Sequence, residues 1–192
     1  ISARTDEGLS LLVCEFDAAA PPPGASVHGY RTIDDRRAAD LSFDSLRLPG
    51  TALLGEAGRA ESNLARALDE GATAVASEAV GCMRKVLADT VEYAKARQQF
   101  GAPIGSFQAL QHRMTDMYME LQQSVAAVCL AVLNLDAEPT ARARAVSAAK
   151  VTVGRAARLI GQEAVQLHGG NGVTDEYAIG HYFKRLTIFD SE

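Results

Sequence analysis

The chain has 192 residues, 47% hydrophobic and 22% charged, with a formal net charge of −5. That acidic balance offers no basic stripe to displace counterions from nucleic acid, and the absence of Trp leaves few platforms for base stacking. No apolar run approaches the length of a membrane span and no signal-peptide pattern opens the chain, so a globular protein without membrane or nucleic-acid partners is expected. Cys14, Cys82 and Cys129 are odd in number, widely spaced and without a CxxC pair, and read as reduced, buried, structural thiols of a cytoplasmic protein. The first residue is Ile1 rather than Met, as expected of a piece of a longer chain.

Residues 1–57 read as β structure. Leu9–Phe16 is an apolar run of strand length, broken by Pro21-Pro22-Pro23-Gly24. Arg37–Leu48 partly alternates, with Leu41 and Phe43 in one phase and Leu46 and Leu48 in the other. The slip near Ser45 predicts a bulge or two short strands. So few strands need a partner surface or missing strands to be stable.

From Glu61 the pattern turns helical. Leu64, Leu68, Val75, Ala79, Met83, Val86, Thr90 and Ala94 recur at helical spacings, predicting a helix over 62–97 about 54 Å long. Phe107–Leu135 follows, with Leu110, Met114, Met117, Leu121, Val125 and Val128 on one face. A loop with Pro139 leads to a third stripe of Ala149, Val153, Ala156, Ile160, Ala164 and Leu167, and Tyr177–Phe189 predicts a fourth helix. The expected fold is mainly α: an antiparallel four-helix bundle over 58–192, preceded by part of a β domain over 1–57.

Residues 93–108 carry the first candidate site. A helix end presents Arg97, then Gln99 and Phe100, before Gly101 and Pro103 stop it. A guanidinium, an amide and an aromatic ring suit a flat ligand bearing phosphates. The same residues also fit an ordinary helix C-terminus and turn. The second candidate, Gln166-Leu167-His168-Gly169-Gly170-Asn171-Gly172, reads either as a Gly-rich helix cap or as backbone that passes close to a ligand.

YAKxRxQFGxPIxxFQ over 93–108 resembles the signature of acyl-CoA dehydrogenases, FAD-dependent enzymes that desaturate acyl-CoA thioesters. QxxGGxGxxxEY, here Gln166, Gly169, Gly170, Gly172, Glu176 and Tyr177, is similar to that family's second flavin-contact motif. Gly29–Thr32, Phe43–Pro49 and Gly55–Gly58 are similar to the last strands of its middle β domain. The resemblance spans nearly the whole chain in order. It implies that an N-terminal helical domain and the first half of the β domain, which holds most of the flavin ring, lie outside this stretch.

The resemblance also implies roles. Residues matching Arg97, Gln99, Phe100 and Gln108 touch the FAD of a neighbouring subunit, and those matching Gln166, Leu167, His168, Gly169 and Gly170 touch its adenosine and diphosphate end. An oligomer follows, usually a dimer of dimers, with electron-transfer flavoprotein as acceptor. The reaction is α,β-dehydrogenation: a carboxylate takes the α-proton while the β-hydrogen leaves as hydride to the flavin.

Three positions depart from the common pattern. The usual catalytic Glu would fall one residue after Glu192, and Glu192 itself is out of register by one. A minority of the family carries its base at the position matching Gly71, which makes the adjacent Glu70 the candidate base here. Asp69 matches a residue that contacts the CoA portion, but the Arg that commonly follows is Ala72. Some steroid-degrading bacterial members are α2β2 heterotetramers, and His181-Tyr-Phe-Lys-Arg-Leu-Thr187 resembles that subgroup. Two readings result: a catalytic acyl-CoA dehydrogenase subunit, with a steroid side chain as one substrate option, or a non-catalytic subunit that completes its partner's FAD site.

The remaining polar residues read as structural. His28, His112 and His181 lack metal-ligand spacing, and no metal is expected. Met114 and Met117 read as core filler, and Arg142 with Arg144 as a solvated face.

Overall fold

In the computed structural model residues 1–189 are described, and they form two compact units that divide between Leu68 and Asp69. The first unit holds a three-stranded antiparallel sheet of β1 (Ser2–Thr5), β2 (Gly8–Leu12) and β5 (Leu53–Leu54). A separate hairpin joins β3 (Ala25–Arg31) to β4 (Arg37–Phe43), with Val27 opposite Leu41. The three-stranded sheet is tied to residues 58–60 at close range: Ala60 N donates to Leu9 O at 2.8 Å and Gly58 N to Ser10 Oγ at 2.9 Å. A Cβ on Gly8 would lie 2.4 Å from Gly58 O, so the approach needs glycine there.

The β expectations need two corrections. The first run ends as a strand at Leu12 rather than at Phe16. The phase slip near Ser45 is neither a bulge nor a second strand: the strand stops at Phe43, and Ser45 takes a left-handed φ of 57° that turns the chain away. Leu41 and Phe43 remain exposed, as expected of a hairpin with one uncovered face.

The helices are α1 (Glu61–Ala96), α2 (Gln108–Leu133), α3 (Pro139–His168) and α4 (Ala178–Ile188). The links between them are short, so the four form an antiparallel bundle around one core. Met83 and Val86 from α1, Met117 and Leu121 from α2, Val153 and Ile160 from α3, and Ile179 and Leu186 from α4 are all buried in it. Burying each large apolar side chain contributes about 1.5–3 kcal/mol. Ala76, Ala79, Ala156, Ala157 and Ala164 share that core, and their small size brings the backbones close. The stripe on α3 is buried throughout, whereas Leu68, expected on the α1 stripe, is 63% exposed, and the cysteines expected to be buried are not: Cys14 and Cys82 are half-buried and Cys129 is exposed.

Polar contacts fix the register between helices. Arg185 grips Glu78 with two hydrogen bonds of 2.8 Å, joining α4 to α1. Lys150 donates to Phe189 O at 2.9 Å and lies over the Phe189 ring, holding the end of α4 to α3. Pro139 opens α3 at a position where its missing N–H costs nothing, and the Glu138 side chain accepts from Thr140 N. Among the described residues no helix is long and apolar enough to cross a membrane.

Candidate cofactor cleft and the far end of helix 1

The C-terminal ends of α1 and α3 meet at a shallow cleft of about 250 Å³. Tyr93, Arg97, Gln99 and Ile104 line one side, and Gln166 to Asn171 the other. The two candidate motifs, far apart in sequence, are therefore one site in space.

The Arg97 side is built by a small hairpin absent from the sequence reading. The last bond of α1 runs from Arg97 N to Tyr93 O, and Ile104 N then returns to Arg97 O, both at 2.8 Å. Between them Gln98–Gln99 pairs with Ala102–Pro103 across a two-residue turn of Phe100 and Gly101. Both turn residues have positive φ, 55° and 81°, the geometry of a type I′ hairpin. Phe100 thus holds a conformation that costs about 1 kcal/mol or more for a non-glycine residue, and it is 92% exposed. Its ring meets Phe107 edge-on at 6.1 Å. Gln108, the first residue of α2, is also exposed, and neither it nor Phe100 lines the cleft. Gly105 lets the following turn lie against α1, since a Cβ there would sit 3.0 Å from Ala94 O.

The opposite wall is the end of α3 and the turn Gly169–Val173. Leu167 and His168 are buried, so what they offer a ligand is main chain. His168 Nδ1 donates to Ala164 O at 2.8 Å, because a carbonyl can only accept, which leaves Nε2 unprotonated and without a hydrogen-bond partner. The imidazole packs against Tyr93 at 4.3 Å and Tyr177 at 5.2 Å. Burial lowers its pKa from the ordinary 6.5, outweighing the Ala164 bond and the Asp89 carboxylate, which favour the charged form. The glycines divide by cause: Gly169 caps α3 at φ 59° and ψ −138°, a region open to glycine, and Gly172 avoids a contact of 2.7 Å between a Cβ and Val165 O. Gly170 has neither reason. Its φ is not positive and a Cβ there would meet no atom within 4 Å.

Two helix C-termini facing one cleft bring partial negative charge, about half a unit each. Arg97 offsets it: the side chain is exposed, and among the described residues no carboxylate pairs with it. An unpaired guanidinium, the amides of Gln99 and Gln166, and open backbone at Gly170 form a donor set that fits a diphosphate.

Asp69 and Glu70 lie elsewhere, about 40 Å along α1 from Arg97 at 1.5 Å per residue. The structure therefore does not bring them into the cleft. Glu70 is exposed, and a Cβ on Gly71 would meet nothing within 4 Å, so the surface beside it is open. Asp69 is engaged within the chain: its Oδ2 accepts from Arg142 Nε at 2.8 Å, with only 8% of the Arg142 side chain and 18% of the Asp69 side chain exposed. The expectation of a solvated Arg142 is thus wrong. Extending the α3 stripe backward from Ala149 through Ala145 reaches Arg142, a signal that could have placed it facing the core. Glu192, the out-of-register carboxylate, lies outside the described residues. Among the described residues no three His, Cys, Asp or Glu side chains cluster as metal ligands.

The sequence profile for "Acyl-CoA dehydrogenase, C-terminal domain" matches residues 62–190, and the chain belongs to the acyl-CoA dehydrogenase family, whose members depend on FAD. It is 29% identical over 194 aligned residues to the caffeyl-CoA reductase-Etf complex subunit CarC of Acetobacterium woodii, covering 98% of this chain and 51% of that protein. The structure superposes on butyryl-CoA dehydrogenase from Megasphaera elsdenii with a TM-score of 0.85 at 27% identity, covering 98% of this chain and 50% of that one. It is likewise similar to a Tcur3481-Tcur3483 steroid ACAD, with a TM-score of 0.83 and 30% identity over 98% of this chain and 48% of that one. The chain spans about half the length of these relatives.

Proposed function

We propose that this chain is the C-terminal portion of an FAD-dependent acyl-CoA dehydrogenase subunit and that its cleft holds the diphosphate and adenosine end of an FAD seated mainly in a neighbouring subunit. The observation that carries this reading is the convergence of Arg97 and Gln99 with Gln166–Gly170 on one cleft. Arg97 pairs with phosphate oxygens through its planar guanidinium. Gln99 and Gln166 give amide contacts, and the bare backbone at Gly170 admits a close ligand. Phe100 and Gln108, exposed on the adjacent hairpin and helix start, meet the same FAD from outside the cleft. The bound flavin supplies the hydride acceptor for α,β-dehydrogenation of an acyl-CoA.

The assembly is a dimer of dimers, homomeric or α2β2, with electron-transfer flavoprotein as acceptor. The similarity to a subunit of a complex named for Etf supports that acceptor. A steroid side-chain thioester is the proposed substrate, supported by the similarity to a steroid ACAD and by the open surface beside Gly71. The experiment is flavin titration of the full-length chain assembled with its partner subunits. Arg97→Ala should weaken FAD binding tenfold or more, by about 1.5–3 kcal/mol for a charged hydrogen bond. Unchanged FAD affinity and stoichiometry would remove the basis of this reading.

A second reading, a subunit that completes a partner's FAD site without its own catalysis, is favoured by one observation. Asp69, the residue matched to a CoA contact, is already held by Arg142. In the catalytic reading Glu70 is the base and Asp69 touches the CoA portion. Mutating Glu70 in the assembled enzyme separates the two.

A further inference from the structure

Tyr93 touches both walls of the cleft. Its main chain closes the last turn of α1, where Arg97 N donates to Tyr93 O at 2.8 Å. Its hydroxyl donates to His168 O at 3.3 Å, 75 positions away, and accepts from Asn171 Nδ2 at 3.4 Å. Its ring lies 4.3 Å from the His168 imidazole, which packs in turn on Tyr177. We propose that Tyr93 is a positioning residue that sets the spacing between Arg97 and the Gly169–Gly170 turn, and so tunes the grip of the cleft on the FAD diphosphate. This rests on the reading of the cleft as an FAD site.

The physical case has two parts. The hydroxyl engages the last carbonyl of α3, one of the acceptors that would otherwise face a phosphate with partial negative charge. Through Asn171 it also holds the turn that follows, in which Gly170 is exposed and Gly172 lies against Val165 of α3. The hydrogen bonds tie that turn to the last turn of α1, and so to Arg97 four residues further on.

The test uses the full-length chain in its assembled complex, stripped of flavin and titrated with FAD. Tyr93→Phe removes only the hydroxyl and should raise the FAD dissociation constant about three- to tenfold, the effect of a hydrogen bond of ~1 kcal/mol. Asn171→Ala, at an exposed position outside the ring stack, should weaken binding similarly. The double variant should bind about as well as Tyr93→Phe alone, because Tyr93→Phe already breaks the bond that Asn171→Ala removes. A purely structural tyrosine would lower the melting temperature of the flavin-free complex and leave FAD affinity alone. Positioning predicts the reverse, melting within a few degrees of wild type. If Arg97→Ala weakens FAD binding while Tyr93→Phe binds as wild type, the positioning role is overturned and the FAD reading stands. If Arg97→Ala binds FAD as wild type, the FAD reading fails and this proposal falls with it.

Discussion

Arg142 Nε donates to Asp69 Oδ2 at 2.8 Å across 73 positions of sequence, and this pair ties the first turns of α3 to the early part of α1. It sits beside a small satellite core of Ala131, Val146 and Ala149, with Ala72 and Leu135 packed against it. So few apolar contacts supply little burial energy, and a mostly buried ion pair therefore sets the geometry of this end of the bundle. The same contact takes up the carboxylate that a CoA-binding role for Asp69 would need.

Removing one member of that pair leaves the other charge largely buried. Arg142→Ala should destabilise the protein by about 2–4 kcal/mol, somewhat less than for a fully buried pair because Asp69 keeps some solvent. Replacing both with apolar residues, Asp69→Leu with Arg142→Met, should recover most of the loss. Urea unfolding of the two variants reads the comparison, and an Arg142→Ala protein as stable as wild type would show the pair to be idle.

His168 should make stability depend on pH in one direction. Its folded pKa lies below the ordinary 6.5, so between the two values the unfolded chain binds more protons than the folded one. The stabilisation is full above about 6.5 and is lost as pH falls through that value toward the folded pKa. Asp89 on α1 and the rings of Tyr93 and Tyr177 face the imidazole, and the ring bond to Ala164 persists throughout. His168→Phe should flatten the slope of unfolding free energy against pH below 6.5. An equally steep slope in that variant would assign the effect to other groups.

Gly170 and Gly172 should separate folding from ligand binding. Gly172→Ala places a methyl group 2.7 Å from Val165 O and should cost about 1–3 kcal/mol of stability. Gly170→Ala meets no protein atom and should melt as wild type while weakening FAD binding in the assembled complex. Calorimetry and flavin titration of both variants give the comparison. A Gly170→Ala complex with undiminished FAD affinity would count against close approach of the ligand there.

Phe100 should show a trade between stability and function. Phe100→Gly relieves the positive φ and should stabilise the hairpin by up to about 1 kcal/mol, less the edge contact with Phe107. In the assembled complex the same change should weaken flavin retention, since the exposed ring is lost. Equal or lower stability would mean the turn stores no strain.

Glu70→Gln tests the base directly. In the assembled enzyme it should leave FAD and acyl-CoA binding intact and lower kcat by orders of magnitude if this subunit is catalytic. Near-normal turnover would favour the completing-subunit reading.

The helical half of this chain could be read from sequence because burial on a helix repeats every three or four residues. The stripe from Ala149 to Leu167 and the bounds of α1 followed from that period alone. The motifs around Arg97 and Gln166 were legible as residue types and their resemblance put both on one FAD, although nothing in their spacing told that they share a cleft. That was decided by tertiary packing, which sets the C-terminal ends of α1 and α3 side by side. The hairpin under Phe100 was also illegible, since Phe is a poor residue for positive φ and a local rule argues against it. Arg142 was misread because charge suggests solvent, and only a carboxylate from another helix could make its burial favourable. Periodicity reports which face is covered; which groups meet beneath that face depends on how the helices pack against one another.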